Sequence, residues 1–505
     1  MASLSDAAHF PGGHAAVIVV PRSVDELRDA VRAADRVLVV GAQSSLTGGA
    51  TPMGETLIAT EKLTRIERIG RDAITVEAGV PVAVMQAALA EHGAWFPPTP
   101  TFTGAFAGGI VATNAAGAAT FKYGSVRSWV DAIDLVLADG TPLTLRRGDV
   151  RAQGRRLTLN AGERTIEIPI PSYTMPDVVK RSAGYHAEPD MDAVDLFIGC
   201  EGTLAVITRI TFRVLSPVPA TGMAFVPCRS EAAAIDLVRD LRAASQETWR
   251  THDPNGIDAA AIEHMDGRCL RILREDGADR KHDVAIPRDA ALALLVQLEL
   301  PPSLTEAQAF DAIENALAEN AADGPLTRFC RLLQRHGVLD ETELALPGHV
   351  RRLEQLVAIR EAVPAGVNQR VGEAQRDVDP RIAKTAADMI VPFDSFGEMM
   401  TIYRDGFAAR GLDYAVWGHI SDGNVHPNVL PRTYADVERG KETILEFGRE
   451  VARLGGCPLA EHGVGRHPVK KALLRGLYGD AGIKEMRAVK RALDPDGKLA
   501  PGVIF

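Results

Sequence analysis

The sequence predicts an α+β protein of more than one domain, and three observations lead there. Its 505 residues exceed the roughly 250 to 300 at which a single core stops growing. Short apolar runs rich in Val and Ile alternate with helical patterns through the first part of the chain. The stretch SPVPATG, with two prolines and a glycine, then separates this part from one in which long helices sit among strands, the pattern of an α+β domain with an open sheet. The expected division is 1–218, 219–455 and a final unit, 456–505.

In chain order, AAVIVV reads as a strand and SVDELRDAVRAA as a helix. Ser23 followed three residues later by Glu26 is the signature of a capping box, and Pro21 stops the strand before it. RVLVV is a buried strand that runs into GAQSSLTGGA. ITVEAGV is a strand and VAVMQAALAEHG a helix. The stretch PPTPTFTGAFAGGIVATNAAGAATFKYGS has too few large side chains to build a core by itself, so it is expected to lie against something else. Strands resume with DAIDLVLADG and TPLTLRRGD, RRLTLNAG and TIEIPIP suggest a hairpin, and DLFIGCEGTLAVITRITFRVL closes the first region. The second region holds helices such as EAAAIDLVRDLRAA and SFGEMMTIYRDGFAARG and the strand YAVWGHI. The final unit carries CPLAEHGVGRH, a helical IKEMRAVKRAL and the tail DPDGKLAPGVIF.

Composition narrows the function. A net charge of -10 argues against a nucleic-acid partner, which selects a basic face. No apolar run reaches the roughly 18 residues of a membrane span, and the start lacks a secretory pattern, so a cytoplasmic protein is expected, with peripheral docking on a membrane still compatible. The five cysteines, Cys200, Cys228, Cys269, Cys330 and Cys457, contain no CxxC pair. They provide neither a disulfide framework nor an iron-sulfur set.

Three small-residue turns are candidates for holding a ligand by its backbone. In the first, Gly41, Ala42, Gln43, Ser44, Ser45, Thr47, Gly48 and Gly49 follow a strand; glycines admit backbone N–H groups close to an anion and the hydroxyls add donors. No Lys-Ser/Thr pair follows, so this is not a nucleotide-hydrolysing P-loop. The second, GGIVATNAAG, contains Gly108, Gly109, Thr113, Asn114 and Gly117, and the third, IGCEGTL, contains Glu201 and Gly202. Each fits an ordinary tight turn; together they fit a dinucleotide better.

The stretch HISDGNVH sets His419 and His426 around Asp422-Gly423, a dipeptide that tolerates the positive φ angles of a type I′ turn. Closed as a two-residue hairpin, it would put His419 directly opposite His426, close enough for two imidazoles to share a metal. A polar cross-strand contact without metal fits the same pairing. AEHGVGR offers Glu461 as a third ligand and His462 as a group facing a substrate, since adjacent side chains of an extended segment point apart. Two histidines and a glutamate suit Zn²⁺ or Mn²⁺ better than Mg²⁺.

The motifs GAQSSLTGGATP, PPTPTFTGAFAGGIVATNAAGAATFKYGSVRSWV, KRSAGYH, DLFIGCEGTL, GHISDGNVHPN, EHGVGR and LDPDGKLAPGVIF, in this order, resemble the FAD-linked oxidase and dehydrogenase family with the vanillyl-alcohol-oxidase fold. The branch is that of D-lactate, D-2-hydroxyglutarate and glycolate dehydrogenases, and the likeness covers nearly the whole chain. It implies a two-subdomain FAD-binding domain, an α+β substrate domain and a C-terminal unit that returns to the flavin. It implies FAD held by the three turns and by Pro98 and Asn424, a metal held by His419, His426 and Glu461, and His462 as the base. Arg360 in AIREAVP and Lys384 in AKTAADMIVP resemble the family's segments that bind the substrate carboxylate.

Two departures bear on the cofactor. Ala42, Gln43, Ser44 and Ser45 stand where consecutive glycines are common in the family, so their side chains must point away from the cofactor or donate to it. No histidine stands in that loop to attach the flavin, so noncovalent FAD is expected. The reaction implied is oxidation of a D-2-hydroxy acid to the 2-oxo acid. Electrons would leave to a quinone, a cytochrome, an electron-transfer flavoprotein or a separate iron-sulfur subunit. A metal-dependent hydrolase would explain the histidines but not the turns, and a noncatalytic electron-transfer subunit the turns but not His462.

Overall fold

Runs rich in Val, Ile and Leu build four sheets among residues 3–505, which the computed structural model describes. The chain divides into two compact units. The first comprises the residues through Ala119, Tyr123–Val218 and Cys457–Phe505, and the second Thr120–Lys122 and Pro219–Gly456.

The first unit opens with a parallel sheet in the order β1-β3-β2, from β1 (Val17–Val19), β2 (Val37–Val40) and β3 (Thr56–Ala59). The helix Val24–Ala33 crosses over between β1 and β2 and buries Leu27 and Val31 with Val37 and Ile58. Ser23 caps it, its Oγ accepting from Glu26 N at 3.2 Å. The expected capping box is only half formed: the Glu26 carboxylate reaches one residue past the cap and accepts from Arg22 N at 2.8 Å.

An antiparallel sheet follows. It contains β4 (Ile66–Ile69), β5 (Ala73–Glu77), β6 (Val130–Val136) and β7 (Pro142–Arg146). The hairpin of β8 (Arg156–Ala161) and β9 (Arg164–Pro169) comes next, and then β10 (Val206–Arg213) inserts between β5 and β6. The chain's end returns to this unit: Val37 N donates to Lys498 O and Ala500 N to Val37 O, and Leu499 joins the core beneath the parallel sheet.

The second unit is an antiparallel open sheet in the order β14-β11-β13-β12-β17-β18-β15. Its strands are β11 (Ala220–Cys228), β12 (Ala259–Asp266), β13 (Leu292–Leu300), β14 (Glu343–Ala345), β15 (Thr385–Ala386), β16 (Met389–Ile390), β17 (Tyr414–His419) and β18 (Asn424–Val429), with β16 also pairing β18. The helices Gly267–Glu275 and Val350–Asp377 bury Leu270, Leu273, Ile359 and Val363 in a core shared with Phe225 and Trp417. No helix of the described residues is long and apolar enough to cross a membrane.

Candidate active site

Within the first unit, the ends of β2 and β10 and the helix Ala107–Ala112 enclose a cavity of about 310 Å³. It is lined by Gly41 to Ser45, Thr47, Gly49, Gly108, Gly109, Thr113, Glu201 and Gly202, and by Glu461 and His462. Three turns far apart in sequence thus meet around one space. Gly48, Pro98, Asn114 and Gly117, expected with them, do not line it. Gly48 packs on Phe10 at φ +74, the Asn114 Oδ1 accepts from Arg127 N at 3.1 Å, and Gly117 abuts the Thr99 carbonyl. Gly48, Asn114 and Gly117 make these contacts within the loops beside the cavity.

The substituted glycine loop is accommodated by Gln43. At φ 52 it takes the left-handed conformation that a glycine adopts at less cost. Its side-chain amide donates to Ala50 O, closing the loop on itself, and to Ser3 O, tying the loop to the start of the chain, at 2.8 Å each. The Ser45 and Thr47 hydroxyls are 3.1 Å apart.

Glu461 and His462 reach the cavity because their segment is pinned from three sides. The Glu201 carboxylate accepts from Val464 N and Gly465 N at 2.8 Å each. Arg466 N donates to Thr47 O at 2.9 Å, and the Arg466 guanidinium donates to Glu55 Oε1 at 3.0 Å and to Thr51 O at 3.1 Å. Burial raises the Glu201 carboxyl above the usual carboxylate range, against the two backbone donors that lower it. The fully buried Lys180 ammonium lies 2.7 Å from Glu461 Oε1.

In the second unit, the histidine hairpin has a register that the sequence reading missed by two residues. His419 is opposite Asn424 and His426 opposite Trp417. The connection is a tight turn over Ile420–Asp422 that ends at Gly423, φ 85. Gly423 lies so close to the Val391 carbonyl that a Cβ there would overlap it, so this left-handed position accepts only a glycine. A shift of two keeps every side chain on its face of the sheet, so the imidazoles still meet diagonally. Their centroids are 5.7 Å apart at 89°, and they offer ring nitrogens within 4.8 Å of each other.

Each imidazole is backed by a carboxylate. His419 Nδ1 is 2.7 Å from Glu263 Oε1, and His426 Nδ1 is 3.4 Å from Asp388 Oδ1. Asn424, also expected at the flavin, donates its amide to Asp388 Oδ1 at 3.0 Å and to Met389 O at 2.9 Å.

A family model described as FAD linked oxidases, C-terminal domain, matches residues 229–504, and one described as FAD binding domain matches residues 15–146. The chain belongs to the FAD-linked oxidase family. It is 26% identical to the D-lactate dehydrogenase of Archaeoglobus fulgidus, over 97% of this chain and 91% of that one. It is also 26% identical to the D-2-hydroxyglutarate dehydrogenase of Xanthomonas citri pv. viticola, over 97% and 89%, and to a glycolate oxidase subunit of Bacillus subtilis, over 97% and 88%. Among solved structures, an alkyldihydroxyacetonephosphate synthase superposes with a TM-score of 0.58 over 96% of this chain and 75% of that one, at 14% identity. That likeness concerns the fold.

This FAD-linked oxidase is therefore an FAD-dependent oxidoreductase related to D-2-hydroxy-acid dehydrogenases, which sets aside the hydrolase reading. The cavity in its first unit suits the cofactor. At Gly109 and Gly202 nothing lies within 4 Å of where a Cβ would stand, so a large planar or diphosphate group can lie flat against main chain there. In its second unit, two imidazoles backed by buried carboxylates are a donor set that suits a divalent metal.

The substrate candidates of this oxidase both lie in the second unit. Arg360, expected to grip a carboxylate with both prongs, already points Nε at Glu263 Oε2, 3.3 Å away, and Nη1 at Glu361 Oε1, 2.9 Å away. Lys384, just ahead of β15, is accessible at the surface. Sequence reasoning missed Glu263, Asp388 and Lys180. Lys180 carried a signal, since it opens the KRSAGYH motif, and Asp388 stands within AKTAADMIVP; Glu263 becomes recognisable through strand pairing alone.

Proposed function

We propose that this chain oxidises a D-2-hydroxy acid to the 2-oxo acid on noncovalently held FAD, assisted by a Zn²⁺ or Mn²⁺ ion held by His419, His426 and Glu461. The observation that carries the reading is the pair of carboxylate-backed imidazoles on one sheet face. Similarity over nearly the whole chain to enzymes named for D-lactate and D-2-hydroxyglutarate supports the substrate class.

When bound, FAD supplies the acceptor for the C2 hydride and the metal the positive charge that stabilises the developing alkoxide. His462 takes the hydroxyl proton on a ring nitrogen, a role that suits an imidazole because its unperturbed pKa lies near neutrality. Lys180 holds Glu461 in place by a buried ion pair. The Nη edge of Arg360, once the exposed Glu361 swings aside, and Lys384 bind the substrate carboxylate. Asp388 fixes the amide of Asn424. With five scattered and buried cysteines, electrons leave to an external quinone, cytochrome, flavoprotein or iron-sulfur subunit, in the cytoplasm or at a membrane surface.

The test is an anaerobic visible spectrum of the purified protein before and after addition of D- and L-2-hydroxy acids. Bleaching by D-lactate, D-2-hydroxyglutarate or glycolate, lost after chelation of metal with FAD retained, is the expected result. A flavin spectrum untouched by the whole panel overturns the substrate class, and full reduction in metal-free protein overturns the metal.

A further inference from the structure

Glu263 occupies a position that neither the glycine loops nor the histidine motif announces. It lies on β12 directly across from His419 on β17, and it is 6% exposed where His419 is 1% exposed. Its two oxygens face different groups: Oε1 is 2.7 Å from His419 Nδ1, and Oε2 is 3.3 Å from Arg360 Nε. We infer that Glu263 is a positioning residue that fixes His419 with its proton on Nδ1 and its lone pair on Nε2, while anchoring Arg360 through its other oxygen. The inference rests on the metal-assisted reading above and deepens it, because one buried carboxylate then links a metal ligand to the cation proposed for the substrate.

The chemistry follows from what a carboxylate can do. Ionised, it only accepts hydrogen bonds, so the imidazole nitrogen facing it must carry a proton. A neutral imidazole has one proton, which leaves Nε2 as the nitrogen able to bind a metal. The charge-assisted contact also holds the ring in one orientation. On the other side, the guanidinium offsets the charge of a carboxylate that burial would otherwise penalise. The opposing acid of the hairpin is looser: Asp388 lies 3.4 Å from His426 Nδ1 and is shared with the Asn424 amide. Of the two, Glu263 therefore exerts the stronger constraint.

A glutamine at this position cannot satisfy both partners. If its carbonyl accepts from His419, its NH₂ faces the Arg360 donors. If it flips, its NH₂ asks His419 for a lone pair on Nδ1, which moves the proton to Nε2 and blocks metal binding. Glu263→Gln should thus weaken Zn²⁺ or Mn²⁺ binding by about 10- to 100-fold, the scale on which partners of ligand histidines act. It should also raise KM for the hydroxy acid. Glu361→Gln touches the same arginine but not His419, so it should leave metal affinity unchanged.

The experiment is metal titration by calorimetry on FAD-loaded wild type, Glu263→Gln, Glu361→Gln and His419→Gln, with flavin content and thermal unfolding as controls. Wild-type affinity in Glu263→Gln with FAD retained overturns the positioning role and leaves the metal reading intact. No metal bound by the wild type, or binding indifferent to His419→Gln, overturns both. If Glu263→Gln does not fold, ¹⁵N spectra of histidine-labelled wild type decide: a proton on Nδ1 of His419 is expected, and a proton on Nε2 overturns the inference.

Discussion

Glu201 and Gly465 are 264 residues apart in the chain, and the Gly465 backbone N–H donates to the Glu201 carboxylate at 2.8 Å. Glu201 does this from a left-handed backbone conformation, φ 52, and its other oxygen accepts from Val464 N. A residue expected to serve the cofactor therefore also fixes the loop that carries His462. Replacing it with glutamine removes one acceptor, and a hydrogen bond to a charged group is worth about 1.5 to 3 kcal/mol. Glu201→Gln should slow flavin reduction by about 10- to 100-fold, measured by anaerobic stopped flow. Reduction at the wild-type rate would show that the loop holds its place without this clamp.

His462 is half-buried and lines the cavity of the first unit. If it takes the substrate proton, His462→Asn keeps a polar side chain there but removes the base. Flavin reduction should slow by about 100-fold or more, the lower range of a lost general base, with FAD content unchanged. Loss of FAD in this variant would instead give His462 a structural part in the cofactor cavity.

The hairpin shows what could be read before the fold was known. Its alternation put both histidines on one face, and a register two residues away preserves that relation. The register itself belongs to the folded sheet, where β16 pairs β18 and Gly423 lies against the Val391 carbonyl, neighbours from outside the hairpin that no local pattern encodes. The same limit applies at Glu263 and Asp388. Glu263 shares β12 with His264 and Asp266, and Asp388 stands just ahead of β16; only the pairing of β12 with β17 and of β16 with β18 brings the two acids beside His419 and His426. The glycine turns were readable as a set because backbone approach needs small residues whatever the tertiary structure. Gln43 was readable only as a departure, since its amide finds Ala50 and Ser3 through the folded loop.

Gly109 tests the cavity with the sign of two effects opposed. Its backbone is not left-handed, and nothing lies within 4 Å of where a Cβ would stand, so a side chain meets no steric barrier in the apoprotein. Alanine in a helix is favoured over glycine by about 0.5 to 1 kcal/mol. Gly109→Ala should leave apoprotein thermal stability unchanged or higher while lowering the FAD content of the purified protein, and Gly109→Val should lower it further. Full FAD occupancy in both variants would move the cofactor away from this wall.

His264 gives the second unit a defined response to acid. It lies on β12, 1% exposed, and neither ring nitrogen makes a well-formed hydrogen bond. Burial lowers its pKa from 6.5 to about 4, against weaker opposing contributions from the Val416 carbonyl and Glu263. The unfolded chain thus takes up a proton below about pH 6.5 that the folded chain refuses until about pH 4. Stability from this residue is present above the unfolded value, is lost as pH falls across that window, and changes no further below it. Each tenfold difference in proton affinity is worth about 1.4 kcal/mol, so the window spans about 3 kcal/mol. Thermal unfolding followed from pH 7.5 to 4.5 should show a steeper fall for the wild type than for His264→Leu, which has a similar volume and nothing to protonate. Parallel curves for the two proteins would mean that His264 is protonated in the fold and that the acid response arises elsewhere.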